Sequence, residues 1–512
     1  MYKARRVSLF DRQKRIHFLN RSVYVLFAIL CSTMLLSIVL YVFVHGIEKR
    51  VWETDYISAL VVAGFAALTR IVLEKKKNTL SARYPFASER NPALLALLAC
   101  SCSFVVQFVV IRLLYIEPDG DYRVFFEAAV DLLSGNKLRE AQYIALFPHI
   151  MGYANFLKVM FQLFCSTEIS PFLNVLLHTM SAGLVFAIIN TITGNIRHAY
   201  RGSLCYGLCP SALLYNIQVL SEPLYTMIIL LMFYLLLIVE KRLMDKYTPN
   251  LIMFLGCGVV FGLLLHLINI IRPVSGILII AMLIWLFPLS GNEVFIKNRK
   301  GAGFSFLTMV IIVYYVSGML WSSHIAEQLG EQPAKFPVYN VLTGFNQETS
   351  GTHSNADADL LMSFRDLPGA TAESAQMCLM DAVKERIKAF SLPQYIRLVA
   401  EKMKIFAGQD DGGAGYAYSV LTTEQFRIMR WFSNVYYYNI LIIALIQTVR
   451  SYTTKRGGVI VMVPLYIIGL TLAHILFLEV ASRYHYSIVP LIIILGQYGP
   501  INQVLYNAKE DE

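Results

Sequence analysis

The chain predicts an all-α polytopic membrane protein with about twelve transmembrane helices, external juxtamembrane helices and a mixed external insert. Three observations lead there. Of the 512 residues, 56% are apolar and only 15% are charged. Apolar runs of about 18–24 residues recur, each long enough to cross roughly 30 Å of hydrocarbon, and only helices do this repeatedly without leaving backbone groups unpaired. The basic residues gather in short loops, where positive charge sets orientation.

The elements follow in order. Residues 1–21 carry Lys3, Arg5, Arg6, Arg12, Lys14, Arg15 and Arg21 and are expected in the cytoplasm. The apolar run after them is too long for a signal-peptide core and no small-residue cleavage site follows, so it reads as a retained span. Spans are expected at about 22–45 and 55–73, then at about 92–115 after the basic loop of Lys75, Lys76, Lys77, Arg83 and Arg90. The third span delivers Glu117-Pro118-Asp119-Gly120-Asp121-Tyr122 to the outside. Segment 148–165 is apolar as well, but charge assigns it to the outer interface, because a crossing there would move every later basic loop to the opposite side. Further spans are expected at about 170–193, 202–220, 223–240, 250–270, 273–290, 302–321, 430–449, 458–478 and 484–500. With both termini inside, Arg197, Arg201, Lys241, Arg242, Lys297, Arg299, Arg450 and Lys455 all face the cytoplasm. There is no long-range internal repeat of the kind many secondary transporters carry.

This threading divides the chain into four parts. Residues 1–91 are a basic N-terminus with two extra spans. Residues 92–321 form a transmembrane core with an external loop at 116–169. Residues 322–428 are an external insert, and 429–512 supply the last spans and a cytoplasmic tail. Within the insert, Gly344 to Gly351 reads as a polar loop. Met377, Met380, Val383, Ile387 and Phe390 recur at spacings of three and four. After Pro393, which suits a first helical turn, come Ile396, Val399, Met403 and Phe406. Both stretches read as amphipathic helices that lie on the membrane surface or cap the bundle.

The scarce charges at the membrane edge carry the functional signal. They are Asp119 and Asp121 after the third span, Glu222 in Ser-Glu-Pro, Arg272 in Ile-Arg-Pro and Arg483 in Ser-Arg-Tyr-His-Tyr, all on the outer face. Each has a plainer reading too. The aspartates suit a solvated helix cap, Glu222 a helix start favoured by the dipole, and the arginines interfacial anchors that reach for water. A carboxylate at 121 held among aromatic neighbours would be partly buried, which raises its pKa and suits a general base. His149 reads first as an interfacial polar residue. His178, His266 and His474 lie inside apolar spans and read as satisfied core residues. Asp410-Asp411-Gly412-Gly413 reads as an ordinary turn, and Tyr436-Tyr437-Tyr438 as an aromatic belt. The eight cysteines form no disulfide framework or metal motif.

Asp121, Phe125 four residues on, Ala128-Ala129, Leu132-Leu133 and Gly135 resemble the first external loop of the GT-C membrane glycosyltransferases, in particular the protein O-mannosyltransferases and the aminoarabinose-transferase-like enzymes that use polyprenyl-phosphate sugars. Phe147-Pro148-His149, Leu220-Ser221-Glu222-Pro223, Ile271-Arg272-Pro273, Gly344-Phe345-Asn346 and Ala481-Ser482-Arg483-Tyr484 are similar to later family segments, in order, over about residues 92–500. The family's proline-rich signature is reduced here to Phe-Pro-His. The resemblance implies a GT-C-type core and transfer of a sugar, with inversion, from a polyprenyl-phosphate donor to an extracytoplasmic glycan, lipid or protein acceptor. It places the catalytic Asp on Asp121, with Asp119 as competitor, and the second acidic residue on Glu222. Arg272 and Arg483, with His149 and His485, would hold the donor phosphate, since a guanidinium matches phosphate bidentately. It implies no metal and no cofactor.

The net charge of +10 does not indicate nucleic acid, because the cations are loop charges. No nucleotide-binding glycine motif is present, which agrees with a lipid-linked donor. A transporter or flippase of lipid-linked sugars would place charges near the middle of spans, whereas here they sit at span ends. A polysaccharide polymerase or ligase shares the topology class, and a non-catalytic scaffold would tolerate loss of Asp121. The expected site is a bacterial plasma membrane, with the endoplasmic reticulum as the other possibility.

Overall fold

The computed structural model describes residues 2–45, 51–81, 91–244, 251–289, 302–451 and 458–498, and every regular element among them is helical. Nine of the described helices are long and apolar enough to cross a membrane: Lys14–Tyr41, Asp55–Leu73, Pro92–Leu113, Ser170–Thr193, Glu222–Lys241, Ile252–Ile271, Gly303–Leu329, Thr423–Arg450 and Val459–Leu476. The chain is a multi-pass helical membrane protein.

The helices are numbered in chain order as α1 (Tyr2–His45), α2 (Val51–Ser81), α3 (Pro92–Leu113), α4 (Asp121–Ser134), α5 (Ala141–Leu146), α6 (His149–Phe164), α7 (Ser170–Thr193), α8 (Ile196–Gly207), α9 (Pro210–Tyr215), α10 (Glu222–Met244), α11 (Leu251–Ile271) and α12 (Ser275–Leu286). They continue with α13 (Ala302–Leu329), α14 (Val338–Gly344), α15 (Asn355–Arg365), α16 (Ala372–Ala389), α17 (Leu392–Met403), α18 (Gly412–Tyr416), α19 (Thr423–Ser451), α20 (Met462–Leu476) and α21 (Val489–Gln497).

Three of the twelve expected spans are short or interrupted. Segment 202–220 breaks at Cys209, whose extended backbone precedes Pro210, and splits into α8 and α9. A residue before proline is pushed out of the helical region, so the break is local chemistry. Segment 273–290 gives only the 12 residues of α12. Segment 484–500 opens as the 3₁₀ turn Ser482–Ile488 and becomes α-helical only at Val489, with Pro490 in the first turn. Segment 148–165 is the 16-residue α6.

Packing of the long helices relies on small residues. Gly258 and Gly262, four apart on one face of α11, let α13 approach closely. A Cβ at Gly258 would lie 2.7 Å from the Met309 Cβ, and one at Gly262 2.7 Å from the Val313 Cβ and 2.8 Å from the Val310 carbonyl. Helix α6 reaches α11 in the same way, since a Cβ at Gly152 would meet the Ile270 carbonyl. Helix α4 lies on α6 through Phe125, whose ring meets Tyr153 edge-on at 5.5 Å, and through the buried Ala128 and Ala129. The N-terminal pair is joined to the core: Asp55 of α2 takes two hydrogen bonds from Arg427 of α19, at 2.8 and 2.9 Å.

The insert, expected to be mixed, has only helical regular elements among its described residues. The two amphipathic patterns become α16 and α17, each opened by a capping box, at Thr371 and Ser391. Leu379 and Val383 face inward, while Met377, Ile387, Leu392 and Ile396 remain exposed. Beyond α17 the backbone widens into the π-helical turn Lys404–Gly408. The tyrosines read as an aromatic belt hold this turn instead: Tyr437 and Tyr438 are fully buried and donate to the Ala407 and Gly408 carbonyls at 2.9 and 2.7 Å.

Candidate active site

Four charged side chains from distant segments meet where α4, α10, α11 and the Ser482–Ile488 turn converge. Gly120 has a φ of +55°, a conformation costly for any residue with a side chain, and it turns the chain so that Asp121 opens α4. Pro223 follows Glu222 at the start of α10. Arg272 directly follows the last residue of α11, and Pro273 prevents the helix from continuing. Arg483 enters from the 3₁₀ turn.

The geometry is tight. Arg483 Nη2 lies 3.1 Å from Asp121 Oδ2, and its Nη1 donates to the Tyr122 hydroxyl at 2.6 Å and the Tyr416 hydroxyl at 3.3 Å. Arg272 Nη2 donates to Glu222 Oε1 at 2.5 Å, and Arg483 Nε approaches the same oxygen at 3.9 Å. Glu222 is 1% exposed and Asp121 49% exposed, so Glu222 is the interior counter-ion and Asp121 the carboxylate at the opening. The Tyr143 hydroxyl donates to Asp121 Oδ1 at 3.2 Å. The Nε of each arginine is buried and has no hydrogen-bond partner among the described residues.

That opening is a cavity of about 550 Å³. Asp121, Tyr143 and His149 form one part of its wall, and Arg272, Arg483 and Tyr484 another. The insert contributes Tyr339, Asn340, Thr352 and His353, and the end of α20 leads to Glu479. Apolar surface comes from Phe125, Ile150, Met362 and Ile405 among others. A cavity apolar over part of its wall, with a pair of guanidiniums and carboxylates at one place, suits a ligand with a greasy body and an anionic, hydrogen-bonding head.

The electrostatics correct one expectation. Burial works to raise the Asp121 carboxyl, but the Arg483 charge and hydrogen bond, with the Tyr143 hydroxyl, outweigh it and hold the group below the usual carboxylate range. Asp121 is therefore ionised at neutral pH. His149 goes the other way: burial, with the Arg272 charge adding, pulls it down to about 3, so it is a neutral imidazole.

The remaining candidates separate. Asp119 is exposed, and its carboxylate accepts from the Gly120 amide at 2.8 Å, as a turn residue does. Glu222 stands behind the wall, touching it through Arg272. His485 does not line the cavity. It is fully buried, with Nε2 3.0 Å from Asp410 Oδ1, because successive residues of the 3₁₀ turn point to different sides. Asp410 and Asp411 are in turn not a solvated turn. Asp410 is 2% exposed and also accepts from Ser211 Oγ at 2.5 Å, while Asp411 accepts from the Tyr56 hydroxyl at 2.6 Å. His178 is fully buried against the Gly207 carbonyl and Tyr486 hydroxyl, both at 3.4 Å. Among the described residues no group of three His, Cys, Asp or Glu side chains is arranged to hold a metal ion.

Sequence reasoning missed Tyr143, Tyr416, His353 and Glu479. The first three are ordinary polar residues with no local pattern that marks them. Glu479 did carry a signal, as a lone carboxylate one residue past the apolar run ending near 478 and four before Arg483.

No family model matches the chain, and no curated protein matches it. Among solved structures, the crystal structure of ArnT from Cupriavidus metallidurans bound to undecaprenyl phosphate is similar with a TM-score of 0.33 and 11% identity, over 81% of this chain and 79% of that chain.

Proposed function

We propose that this protein is a membrane glycosyltransferase that moves a sugar from a polyprenyl-phosphate donor to an extracytoplasmic acceptor, a glycolipid, wall polymer or protein, in a bacterial plasma membrane. The observation that carries the reading is the convergence of Asp121, Arg483 and Arg272, with Glu222 behind them holding Arg272, on one partly apolar cavity at the ends of membrane helices.

In this reading the donor phosphate lies against Arg272 and Arg483, with the neutral His149 as a further hydrogen-bonding group. The acceptor hydroxyl attacks the anomeric carbon, the carbon–oxygen bond to phosphate breaks, and polyprenyl phosphate leaves with the bond's electron pair. Asp121 takes the hydroxyl proton as the new bond forms. The phosphate competes with Asp121 for Arg483, so donor binding loosens the 3.1 Å pair and frees the carboxylate for its task. The arginines meanwhile stabilise the charge that grows on the leaving group. Glu222 keeps Arg272 in place and offsets its burial.

The test uses full-length protein in sealed proteoliposomes, with radiolabelled polyprenyl-phosphate monosaccharides and membrane extract as acceptor. Transfer by wild type that falls about 10²–10⁴-fold in Asp121→Asn, but not in Asp119→Asn, is the expected result. Labelled lipid that crosses the bilayer with no sugar transfer would replace the enzyme with a flippase.

A further inference from the structure

The cavity holds a second carboxylate whose surroundings differ from those of Asp121. Both Asp121 oxygens are occupied, one by Tyr143 and one by Arg483. Both hydrogen bonds of Glu479 run through its backbone: its amide donates to the Asn340 carbonyl at 2.7 Å, and its carbonyl lies 2.7 Å from His474 Nδ1. Among the described residues no side chain hydrogen-bonds or ion-pairs with its carboxylate, which lines the cavity.

The segment that carries Glu479 is nevertheless clamped. The next amide, Val480, donates to the Gly351 carbonyl at 2.8 Å. Gly344 lies so close that a Cβ there would come within 2.6 Å of the Leu478 carbonyl carbon. The buried Lys402 secures Gly344 in turn, donating from Nζ to its carbonyl at 2.9 Å. The Asn340 and Gly351 carbonyls thus fix the backbone of Glu479 and Val480, while the Glu479 carboxylate is left open to the cavity. Burial raises this carboxyl above its usual range, against the pull of Arg483 and His353. A carboxylate that faces the cavity without a bonded protein side chain keeps its acceptor capacity free for a ligand.

From this arrangement we infer that Glu479 is a specificity-determining residue that accepts hydrogen bonds from the hydroxyl groups of the donor's sugar. The inference rests on the proposed function, which places the donor phosphate at Arg272 and Arg483. Glu479 and Arg483 are four residues apart, at most about 14 Å of chain, and both face one cavity, so a phosphate at one and its attached sugar at the other belong to a single ligand. Asn340, Thr352 and His353 surround the same region with further hydrogen-bonding groups. A site built to bond a sugar hydroxyl rejects ligands that lack it, because its carboxylate is then left unpaired.

The experiment measures binding to full-length protein in nanodiscs. The probes are bare polyprenyl phosphate, the same lipid carrying mannose, glucose, galactose or arabinose, and single-deoxy forms of the preferred sugar. Wild type should prefer one glycosylated lipid over the bare phosphate. In Glu479→Gln that preference should fall about 10- to 100-fold, the scale of hydrogen bonds to a charged group, with Glu479→Asp in between. One deoxy form should lose a similar factor on wild type and little on Glu479→Gln, which makes the pair a closed cycle. The substituted side chain bonds to no other described side chain, and the deoxy series on wild type tests the point without any substitution. A preference unchanged in Glu479→Gln, or no deoxy form that discriminates the two proteins, overturns the inference and leaves the transferase reading standing. Failure of wild type to bind any of these lipids counts against the transferase reading itself.

Discussion

At the residue scale, the site is a chain of charges in which each partner sets the state of the next. Glu222 fixes Arg272, Arg483 holds Asp121 ionised, and Tyr143 shares that carboxylate. Tyr143→Phe removes a hydrogen bond that lowers the Asp121 pKa. The pKa therefore rises, and the acid limb of the pH–rate profile should shift to higher pH with the rate at neutral pH little changed. An acid limb that stays in place would show that Asp121 is not the group that titrates. These residues were legible because charges are scarce and stand at span ends. Their pairings were not, since Asp121 and Arg483 are 362 positions apart. The expected rise in the Asp121 pKa failed for the same reason: local sequence shows the aromatic neighbours but not the guanidinium. His485 shows the limit of adjacency, being two residues from Arg483 and yet bonded to Asp410 on the other side of the turn.

At the element scale, proline and glycine decide where helices stop and how near they come. The short or broken elements α8, α9, α12 and α21 were expected as full spans because hydropathy sums apolar residues without regard to Pro210 or Pro490. The α11–α13 contact depends on Gly258 and Gly262, so Gly262→Leu should lower the thermal unfolding temperature in detergent by forcing the helices apart. An unchanged temperature would mean that the contact contributes little. In the insert, burial pulls the Lys402 ammonium down to about 7 from 10.5. The unfolded chain then binds more protons than the native one between those values, so stability should rise as pH climbs from about 7 towards 10 and be least below 7. Thermal unfolding across that range should show the slope in wild type and a flatter one in Lys402→Met.

At the scale of the whole molecule, the bundle provides a membrane-embedded frame and the insert closes a cavity over the ends of its helices. The all-helical, multi-pass class was legible, because the length of an apolar run that crosses a bilayer follows from its thickness. The wiring of the first two helices into the core, through Asp55 with Arg427 and Tyr56 with Asp411, was not, because it joins segments more than 350 residues apart. With the insert outside, the exposed Cys378 should react with a membrane-impermeant thiol reagent on intact cells when it is the sole cysteine kept. Protection until the membrane is opened would invert the topology and place the cavity on the cytoplasmic side.

We propose that the cavity transfers sugar from lipid phosphate with Asp121 as proton acceptor, and a single-turnover reaction of purified protein that follows both products, glycosylated acceptor and free polyprenyl phosphate, tests this. The two should appear together in equal amounts with wild type, and in Asp121→Asn both should slow by about 10²–10⁴-fold while donor binding persists. Equal rates for wild type and Asp121→Asn, or release of polyprenyl phosphate without sugar on an acceptor, would contradict the account.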